Sequence, residues 1–455
     1  MRHLLLLIPL LFLSLTPSNA LTEEELIGLA VKRSFELNRY LTEIRRSALV
    51  EKKVRRDNGA AVTLEASASM LRPVSGPGDT LDYLASVSAA APLPGGAQAR
   101  VTSTVDSSVS KTVSIGLTQP LLKGGWTGDV AGYNKKRATL EYTIAKRENL
   151  YAVLTVLADL RVAFWDACIR QERVRILALA DTIAALTYAQ TRTRYKAGDA
   201  SPLDTLESLF NLGRVKSDRL TAENAFRAAR RTVKELSGVN DADSFSLTAV
   251  RQYDSTAVAA QMAYAQAHNL ELLKEEALSS AYALDARVKS NWRLPELDAQ
   301  VNYSVRDEKP DFSRGSFYAG LRFKYRLMNN SSGEDYKISR LDADRQKLNV
   351  EEKQRRLSLS LLEIADNLIL RTQILDNALK NTGIAEAKNR IAVEMYRQGN
   401  LAIIDKLKAE QDWINAKLDL LDAQAGLGKE IVRMELRTGE MLARYHIDES
   451  TDPEE

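Results

Sequence analysis

Cysteine, histidine and aromatic residues are scarce in this chain of 455 residues. The single cysteine, Cys168, excludes an internal disulfide, and its helical surroundings predict a small buried side chain. None of the three histidines, His3, His268 and His446, has a neighbouring ligand pair. Because no nucleophile with a base, no phosphate-binding loop and no metal-ligand spacing is found either, we predict that the protein is not an enzyme and has no cofactor or metal site.

Long apolar runs are also missing after the N-terminus. Arg2 precedes an apolar run from Leu4 to Leu15, and Ser18-Asn19-Ala20 supplies small residues suited to signal-peptidase cleavage. We therefore expect residues 1–20 to be a signal peptide and the mature chain to begin near Leu21. No later run approaches the roughly 20 apolar residues of a membrane-spanning helix, so any part of this protein that enters a membrane must consist of strands.

Charged residues are abundant but balanced in sign. The sequence has 63 lysines and arginines against 60 acids, a net charge of +3. This balance gives no indication of nucleic acid as a partner. Charged residues make up 27% of the chain and aromatic residues 6%, a combination that favours long helices with narrow apolar seams over a thick globular core.

Two long proline-free segments predict exceptionally long helices. They run from about Gly128 to Lys196 and from about Gly333 to Arg397, and a helix of nearly 70 residues would be about 100 Å long. Each is followed by a glycine and a second periodic segment, so each half is predicted to form an α-helical hairpin. The seam positions, which are mostly apolar and follow coiled-coil spacing, are Val153, Leu157, Leu160, Phe164, Ala167, Gln171 and Val174, and then Leu407, Gln411, Ile414, Leu418, Leu421, Ala425, Gly428 and Val432.

Four short segments between the helices alternate apolar and polar residues. They are Val62–Met70, Thr112–Thr118, Leu297–Arg306 and Phe317–Arg326. Strands of about ten residues with one apolar face are typical of a transmembrane β-barrel, although a strand of a soluble sandwich shows the same alternation. Two hairpins cannot close a barrel, so the missing strands would come from other copies of the chain.

Two further features of the strand region allow alternatives. Leu81–Ala90 and Ala99–Ser108 flank the turn-like APLPGGAQA and form either an extra hairpin or an ordered outer loop. Trp126 follows the second strand and Trp292 precedes the third. An aromatic girdle at the periplasmic interface would place tryptophans at these positions. Tryptophans scattered over the surface or the core would explain the same positions equally simply.

One stretch of sequence occurs twice. RYKAGDASPLDTLE at Arg194–Glu207 aligns without a gap with MYRQGNLAIIDKLK at Met395–Lys408. The chain is therefore predicted to be a tandem repeat, with one copy in residues 21–250, including a strand pair at about 61–121, and the other in residues 251–445, including a strand pair at about 296–326. Residues 446–455 are expected to be a disordered tail.

The repeated stretch predicts a specific turn. Gly198 and Gly399 are suited to the left-handed residue that ends a long helix. After the first glycine, Ser201 is suited to the N-cap, Pro202 to the first helical position and Asp204 to the third, which approximates a capping box. Asp405 occupies the position of Asp204 in the second copy, so capping is the simplest role for both acids.

Several of these segments together resemble the TolC-type outer-membrane efflux proteins. They are LTEEELIGLAVKRSFELN after the signal, SIGLTQPLLKGGW at Ser114–Trp126, and the two breaks YKAGDASPLDTLES and YRQGNLAIIDKLKAEQ. The resemblance covers nearly the whole mature chain to about Leu442. It implies a homotrimer in which each chain gives four strands to one 12-stranded β-barrel and its helices to a tapering α-helical tunnel (α-barrel) across the periplasm.

The resemblance also implies a function and its partners. The protein would be the passive exit duct of a tripartite efflux or type I secretion system, in contact with outer-membrane lipid, a periplasmic adaptor protein and an inner-membrane pump. The sequence does not determine whether its cargo is a drug, a metal ion or a protein. The alternative from another class is an exported structural or adhesive coiled-coil protein whose strands form a soluble sheet without a pore.

In such proteins the hairpin tips form the periplasmic entrance. By position, the resemblance assigns Asp204, Glu207 and Asp405 to the entrance lining, and Gly198 and Gly399 to the tips that dock the adaptor. Two residues depart from this pattern. Lys408 occupies a position where family members often have a second acid, and Leu401 occupies one where some members have a gating arginine. The entrance is therefore expected to be held closed by different pairs, for instance Lys408 with an acid of a neighbouring helix.

Overall fold

The structure, a computed structural model, describes residues 20–71, 80–106, 111–125, 130–240, 244–246, 258–307, 315–325 and 331–445. The helices are α1 Glu23–Arg33, α2 Phe35–Asp57, α3 Val130–Lys196, α4 Pro202–Ser237, α5 Val258–His268, α6 Leu270–Lys289, α7 Ser332–Arg397, α8 Ile403–Thr438 and α9 Glu440–Arg444. The strands are β1 Ala61–Leu71, β2 Thr80–Pro92, β3 Gln98–Asp106, β4 Lys111–Pro120, β5 Glu296–Asp307 and β6 Gly315–Lys324. Trp126, residues 1–19 of the expected signal peptide and the expected tail 446–455 lie outside the described residues.

The two long helices predicted from the proline-free segments are confirmed. Helix α3 has 67 residues and α7 has 66. The helices that follow the glycine breaks, α4 and α8, both have 36 residues. Both hairpins therefore consist of one long and one shorter helix of closely matched lengths.

The chain divides into two compact units, and each draws on both halves of the sequence. Unit 1 consists of residues 1–41, 152–269 and 357–450 and contains both glycine turns. Unit 2 consists of residues 42–151, 270–356 and 451–455 and contains all six strands.

The predicted apolar seam of α3 forms the core of unit 1. Leu157, Leu160 and Phe164 are fully buried and pack with Leu26 and Ile27 of α1. Cys168 is buried in the same cluster, and burial raises the pKa of its thiol. The small apolar role predicted for this cysteine is therefore confirmed.

The seam of α8 is also confirmed, since its eight predicted positions are buried or half-buried. Gly428 lies against the indole of Trp165, and a Cβ at this position would come within 3.0 Å of the ring. A glycine in the middle of a helix destabilises it by roughly 0.5–1 kcal/mol relative to alanine. At this position it lets the aromatic ring of α3 approach the α8 backbone.

A buried ionic cluster also lies in unit 1. The guanidinium of Arg161, which is 3% exposed, donates hydrogen bonds to the carboxylates of Glu23 and Glu435. Arg444 Nη1 donates to Glu435 at 2.8 Å, and the hydroxyl of Tyr445 donates to Glu23 at 3.4 Å. Burial alone would lower the pKa of Arg161, but the ion pairs with Glu435 and Glu23 raise it. The cluster therefore fixes α1, α3 and α8 to one another.

The sheet of unit 2 has six antiparallel strands in the order β1-β2-β3-β4-β5-β6. The sheet therefore has two strands more than the four predicted per chain, and the number of strands that each chain gives to a barrel stays a prediction. The two segments of undecided structure form a hairpin, β2–β3, inserted between β1 and β4. Alternation in β2 is carried largely by alanine and serine, whose low contrast gives a weak period-two signal.

The register of the sheet keeps the apolar residues of successive strands on one face. Leu64 pairs with Val87, Val101 with Ile115, and Leu117 with Val301. The polar residues pair on the opposite face in the same way, as do Thr102 with Ser114 and Asp298 with Arg322. A slip of one residue would move the apolar residues of a strand to the other face of the sheet. The observed register therefore directs the apolar residues of all six strands to the same face.

Within the described residues, no helix has both the length and the apolar character needed to cross a membrane.

Candidate functional site

Both hairpin turns of unit 1 have the same backbone geometry. Gly198 and Gly399 have φ angles of 88° and 77°, which confirms their predicted left-handed conformation. The N–H of Asp199 donates to the carbonyl of Arg194 at 2.8 Å, and that of Asn400 donates to Met395 at 2.9 Å. One turn type therefore closes both copies of the repeated stretch.

The capping box is confirmed for the first turn alone. Ser201 is the N-cap of α4, its hydroxyl accepts from the Asp204 N–H at 3.1 Å, and the Asp204 carboxylate accepts from the Ser201 N–H at 3.0 Å. Helix α8 has Ala402 as its N-cap and no side-chain cap. Asp405 is therefore an acid in the first helical turn without the capping role expected from its position.

The three predicted entrance acids retain solvent contact. Asp204 and Glu207 are half-buried, and Asp405 is exposed. In the part of the chain that the structure describes, none of them is in an ion pair. Their carboxylates therefore lie near the turns with access to solvent and without an ion-pair partner among the described residues.

A buried lysine near the second turn was not identified from the sequence. Lys406 of α8 is 5% exposed. Its ammonium donates to the Thr187 hydroxyl of α3 at 2.6 Å and lies 2.6 Å from the Glu410 carboxylate. The sequence contains one signal of this burial. Lys406 and Glu410 follow Ile403 by three and seven residues, a spacing that places both charged residues on the buried side of an apolar seam.

Two cations contact the aromatic ring of Tyr396 at the end of α7. The ammonium of Lys406 is 5.7 Å and the guanidinium of Arg194 is 5.2 Å from the centre of this ring. Cation–π contacts at this range stabilise by roughly 0.5–2 kcal/mol. The contacts of Arg194, Tyr396 and Lys406 therefore hold the two hairpins together beside their turns, whereas Lys408, for which a pairing role was suggested, is exposed.

One face of the sheet in unit 2 is apolar and exposed in the chain. Leu64 of β1 and Leu321 of β6 are 77% and 70% exposed. Apolar residues of the strands between them are exposed as well, namely Val87, Val101, Ile115, Leu117 and Val301. An apolar surface of this continuity is rare on soluble monomers and indicates contact with lipid or protein.

The opposite, polar face of the sheet is concave. It encloses an open cavity of about 690 Å³, whose lining includes Arg100, Thr118, Gln300, Asn302 and Arg322. Arg322 pairs with Asp298 across β5 and β6 at 2.7 Å. The sheet therefore curves with its polar side chains inward and its apolar side chains outward.

Trp292 lies at the helical end of β5, in the 3-10 turn Ser290–Arg293. The ring is half-buried against Gly333, where an added Cβ would come within 3.1 Å of it, and the Arg293 guanidinium lies 5.0 Å from the ring centre. Trp126, its predicted counterpart at the interface, lies outside the described residues. Among those that are described, no group of three histidine, cysteine or acidic side chains could hold a metal ion.

Two long helical hairpins and a curved sheet with an apolar convex face define the fold of TolC-type outer-membrane channels, which confirms that resemblance at the level of the fold. The outer-membrane channel CmeC of Campylobacter jejuni superposes with a TM-score of 0.66 at 14% identity, over 93% of this chain and 89% of that one. The outer-membrane protein VceC of Vibrio cholerae gives 0.67 at 14% identity, over 92% and 96%.

The open state of the MtrE outer-membrane channel of Neisseria gonorrhoeae gives a TM-score of 0.67 at 12% identity, over 92% of this chain and 88% of that one. No family model and no curated protein matches the chain. The likeness therefore concerns the fold over almost the full length of the chain.

We expect the loss of the Lys406 ammonium to destabilise the protein much more than the loss of an exposed lysine. In Lys406→Met, the buried carboxylate of Glu410 loses its ion-pair partner, and breaking a buried pair in this way costs about 3–5 kcal/mol. In Lys408→Met, the matched control, the free energy of unfolding should stay within about 0.5 kcal/mol of the native value. Denaturant unfolding in detergent measures both, and equal effects would contradict the assignment.

Proposed function

We propose that the chain is a homotrimeric outer-membrane channel, the passive exit duct of a tripartite efflux or type I secretion system that spans the outer membrane and the periplasm. The observation that carries the proposal is the division of the sheet into an exposed apolar face and a concave polar face. In a membrane barrel, lipid requires the apolar outer face and a water-filled lumen requires the polar inner face. Strands of 9–13 residues match the length of tilted membrane strands.

The edges of the sheet support an assembly of several chains. Strands β1 and β6 each have one neighbour in the sheet, and unpaired backbone groups cannot face the hydrocarbon of a bilayer. With an even number of antiparallel strands, β1 and β6 run in opposite directions. The β6 edge of one copy can therefore pair antiparallel with the β1 edge of the next, and the cycle closes.

Helix α7 supports the same assembly, because it presents apolar residues to solvent at coiled-coil spacing. In unit 2 these are Ile338, Leu341 and Leu348, and in unit 1 they are Leu359, Leu362 and Ile369. Each set repeats a step of three and then seven residues, the spacing of a coiled-coil seam. A helix of a neighbouring copy would cover this seam and complete the wall of a helical tunnel.

The matched hairpins support a tandem duplication. The long helices differ by one residue and the return helices have equal lengths. The two left-handed glycines, Gly198 and Gly399, lie about two hundred residues apart. We retain the two copies at residues 21–250 and 251–445.

The channel is tested by membrane fractionation and mass measurement of the full-length protein. We expect it to remain with outer membranes after washing at high salt, to require detergent for extraction, and to have the mass of three chains after detergent correction. Reconstitution in planar bilayers should give discrete conductance steps. A monomer that washes free without detergent would support the alternative, a structural or adhesive coiled-coil protein.

A second prediction concerns the ion selectivity that the entrance acids give to the channel. Three copies each of Asp204, Glu207 and Asp405, unneutralised near the turns, would favour cations at the periplasmic entrance, as charged rings do in other pores. The variant Asp204→Asn, Glu207→Gln, Asp405→Asn should lose cation preference in the reversal potential under a salt gradient. The control Glu24→Gln, Glu36→Gln, Glu43→Gln removes the same charge from two exposed positions and one half-buried position of α1 and α2 and should retain the cation preference.

An unchanged reversal potential in the entrance variant would contradict the assignment of these acids. An equal loss in both variants would mean that overall charge, and no local ring, determines selectivity.

The turn glycines are suited to dock the periplasmic adaptor. A Cβ added at Gly198 or Gly399 would have no described atom within 4 Å, so the tips are open and the turn requires these glycines only for their left-handed backbone. Asparagine tolerates the left-handed conformation, so Gly198→Asn with Gly399→Asn keeps the turn and adds a side chain to each tip. Site-specific crosslinking to the adaptor should be lost while thermal stability is retained.

The matched control for this docking test is Gly213→Asn with Gly383→Asn. These glycines lie within α4 and α7, also with nothing within 4 Å of the added Cβ, and they are distant in sequence from the turns. Crosslinking should persist in the control, and its persistence in the tip variant would remove the glycines from the docking site.

A further inference from the structure

The inserted hairpin β2–β3 has the dimensions of the strands on either side of it. Strand β2 pairs with β1 over eleven residues, from Ala61 with Ala90 to Leu71 with Thr80. Strand β3 pairs with β4 over eight residues, from Gln98 with Thr118 to Val105 with Lys111. The hairpin therefore separates β1 from β4 along the length of the sheet.

The short turn of this hairpin lies at the end of the sheet where the chain enters and leaves helices. The N–H of Leu93 donates to the Ala97 carbonyl at 2.7 Å, and Gly95 and Gly96 have positive φ angles. The Gln119 side chain at the end of β4 donates to the Gly95 carbonyl at 3.0 Å. Membrane barrels have short turns on the periplasmic side, and this turn has that length and position.

The faces of the hairpin continue those of its neighbours. Val87 and Val101 lie on the exposed apolar face, between Leu64 of β1 and Ile115 of β4. On the concave face, Gln98 and Arg100 of β3 line the same cavity as Thr118 of β4 and Gln300 of β5. A hairpin outside the membrane would have no physical reason to keep an exposed apolar face in register with four other strands.

We propose that the hairpin β2–β3 is part of the membrane wall, so that three copies of the six-stranded sheet close into an 18-stranded barrel. This inference rests on the proposed trimeric channel. The occupant of each free β1 edge is the β6 edge of a second copy of this chain, because these two strands are the unpaired edges and run antiparallel. The barrel closes without any other protein.

The additional strands widen the outer part of the duct. Barrel diameter grows roughly linearly with the number of strands. With a strand spacing of about 4.8 Å and a tilt of about 40°, the backbone diameter is about 36 Å for 18 strands and about 24 Å for 12. The cross-section is about 2.2 times larger, so the membrane part of the duct is wider, and each copy adds Arg100 to its lumen.

The experiment compares the lipid and water exposure of the two faces of the hairpin in the reconstituted trimer. Single cysteines at Val87→Cys and Val101→Cys on the apolar face, and at Ser88→Cys and Thr102→Cys on the polar face, are labelled with a nitroxide. The native Cys168 is buried, and Cys168→Ala serves as the background. Collision rates with oxygen, which concentrates in lipid, and with a water-soluble nickel chelate are measured by electron paramagnetic resonance.

Reference labels on β4 separate this inference from the proposed function. Leu117→Cys and Thr118→Cys report the two faces of a strand that belongs to the wall in either arrangement. We expect the oxygen-to-nickel ratio at Val87 and Val101 to equal that at Leu117, and to be several-fold higher than at Ser88, Thr102 and Thr118.

Water exposure at both faces of the hairpin, together with a normal contrast on β4, would overturn the 18-stranded barrel and leave the channel intact. No contrast on β4 would overturn the channel, and the barrel with it. A reconstruction of the trimer in lipid nanodiscs provides a direct count, in which 18 strands support the inference and 12 contradict it.

Discussion

The shared orientation of apolar side chains across the sheet is the constraint on which the rest of the structure depends. Side chains alternate between faces with a period of two, so one slipped register would bring polar residues among Leu64, Val87, Val101 and Ile115. All five strand pairs avoid this slip. The result is a sheet that exposes apolar side chains on its convex face and has one unpaired side at each of its edge strands, β1 and β6.

The two hairpins share backbone geometry and differ in electrostatics. Both turns require a left-handed residue, and glycine supplies it at the lowest steric cost. After the turn, the first copy satisfies free helix N–H groups with Ser201 and Asp204, whereas the second has Ala402 and places Lys406 inside. The turn geometry is thus required of both copies, while the charges beside it are specific to each.

Buried ions mark the places where helices distant in sequence meet. Arg161 joins α1 and α8 to α3, and Lys406 joins α8 to α3 beside the turns. A buried ion pair often contributes little net stability relative to apolar packing, but an uncompensated buried charge is costly. We infer that these groups act mainly on alignment, because any sliding of α8 along α3 would separate Glu435 from Arg161 and the Lys406 ammonium from the Thr187 hydroxyl.

The sequence alone determined the features that depend on local periodicity: the long helices, their seams, the glycine turns and four of the strands. The tertiary structure decided the remaining two strands, because alanine and serine in β2 give little contrast and only pairing with β1 and β4 places the hairpin β2–β3 in the sheet. It also decided which basic residue near the second turn is buried, Lys406 and not Lys408, and that Asp405 lacks a cap. Pairing and burial depend on residues far away in the chain, which no local pattern contains.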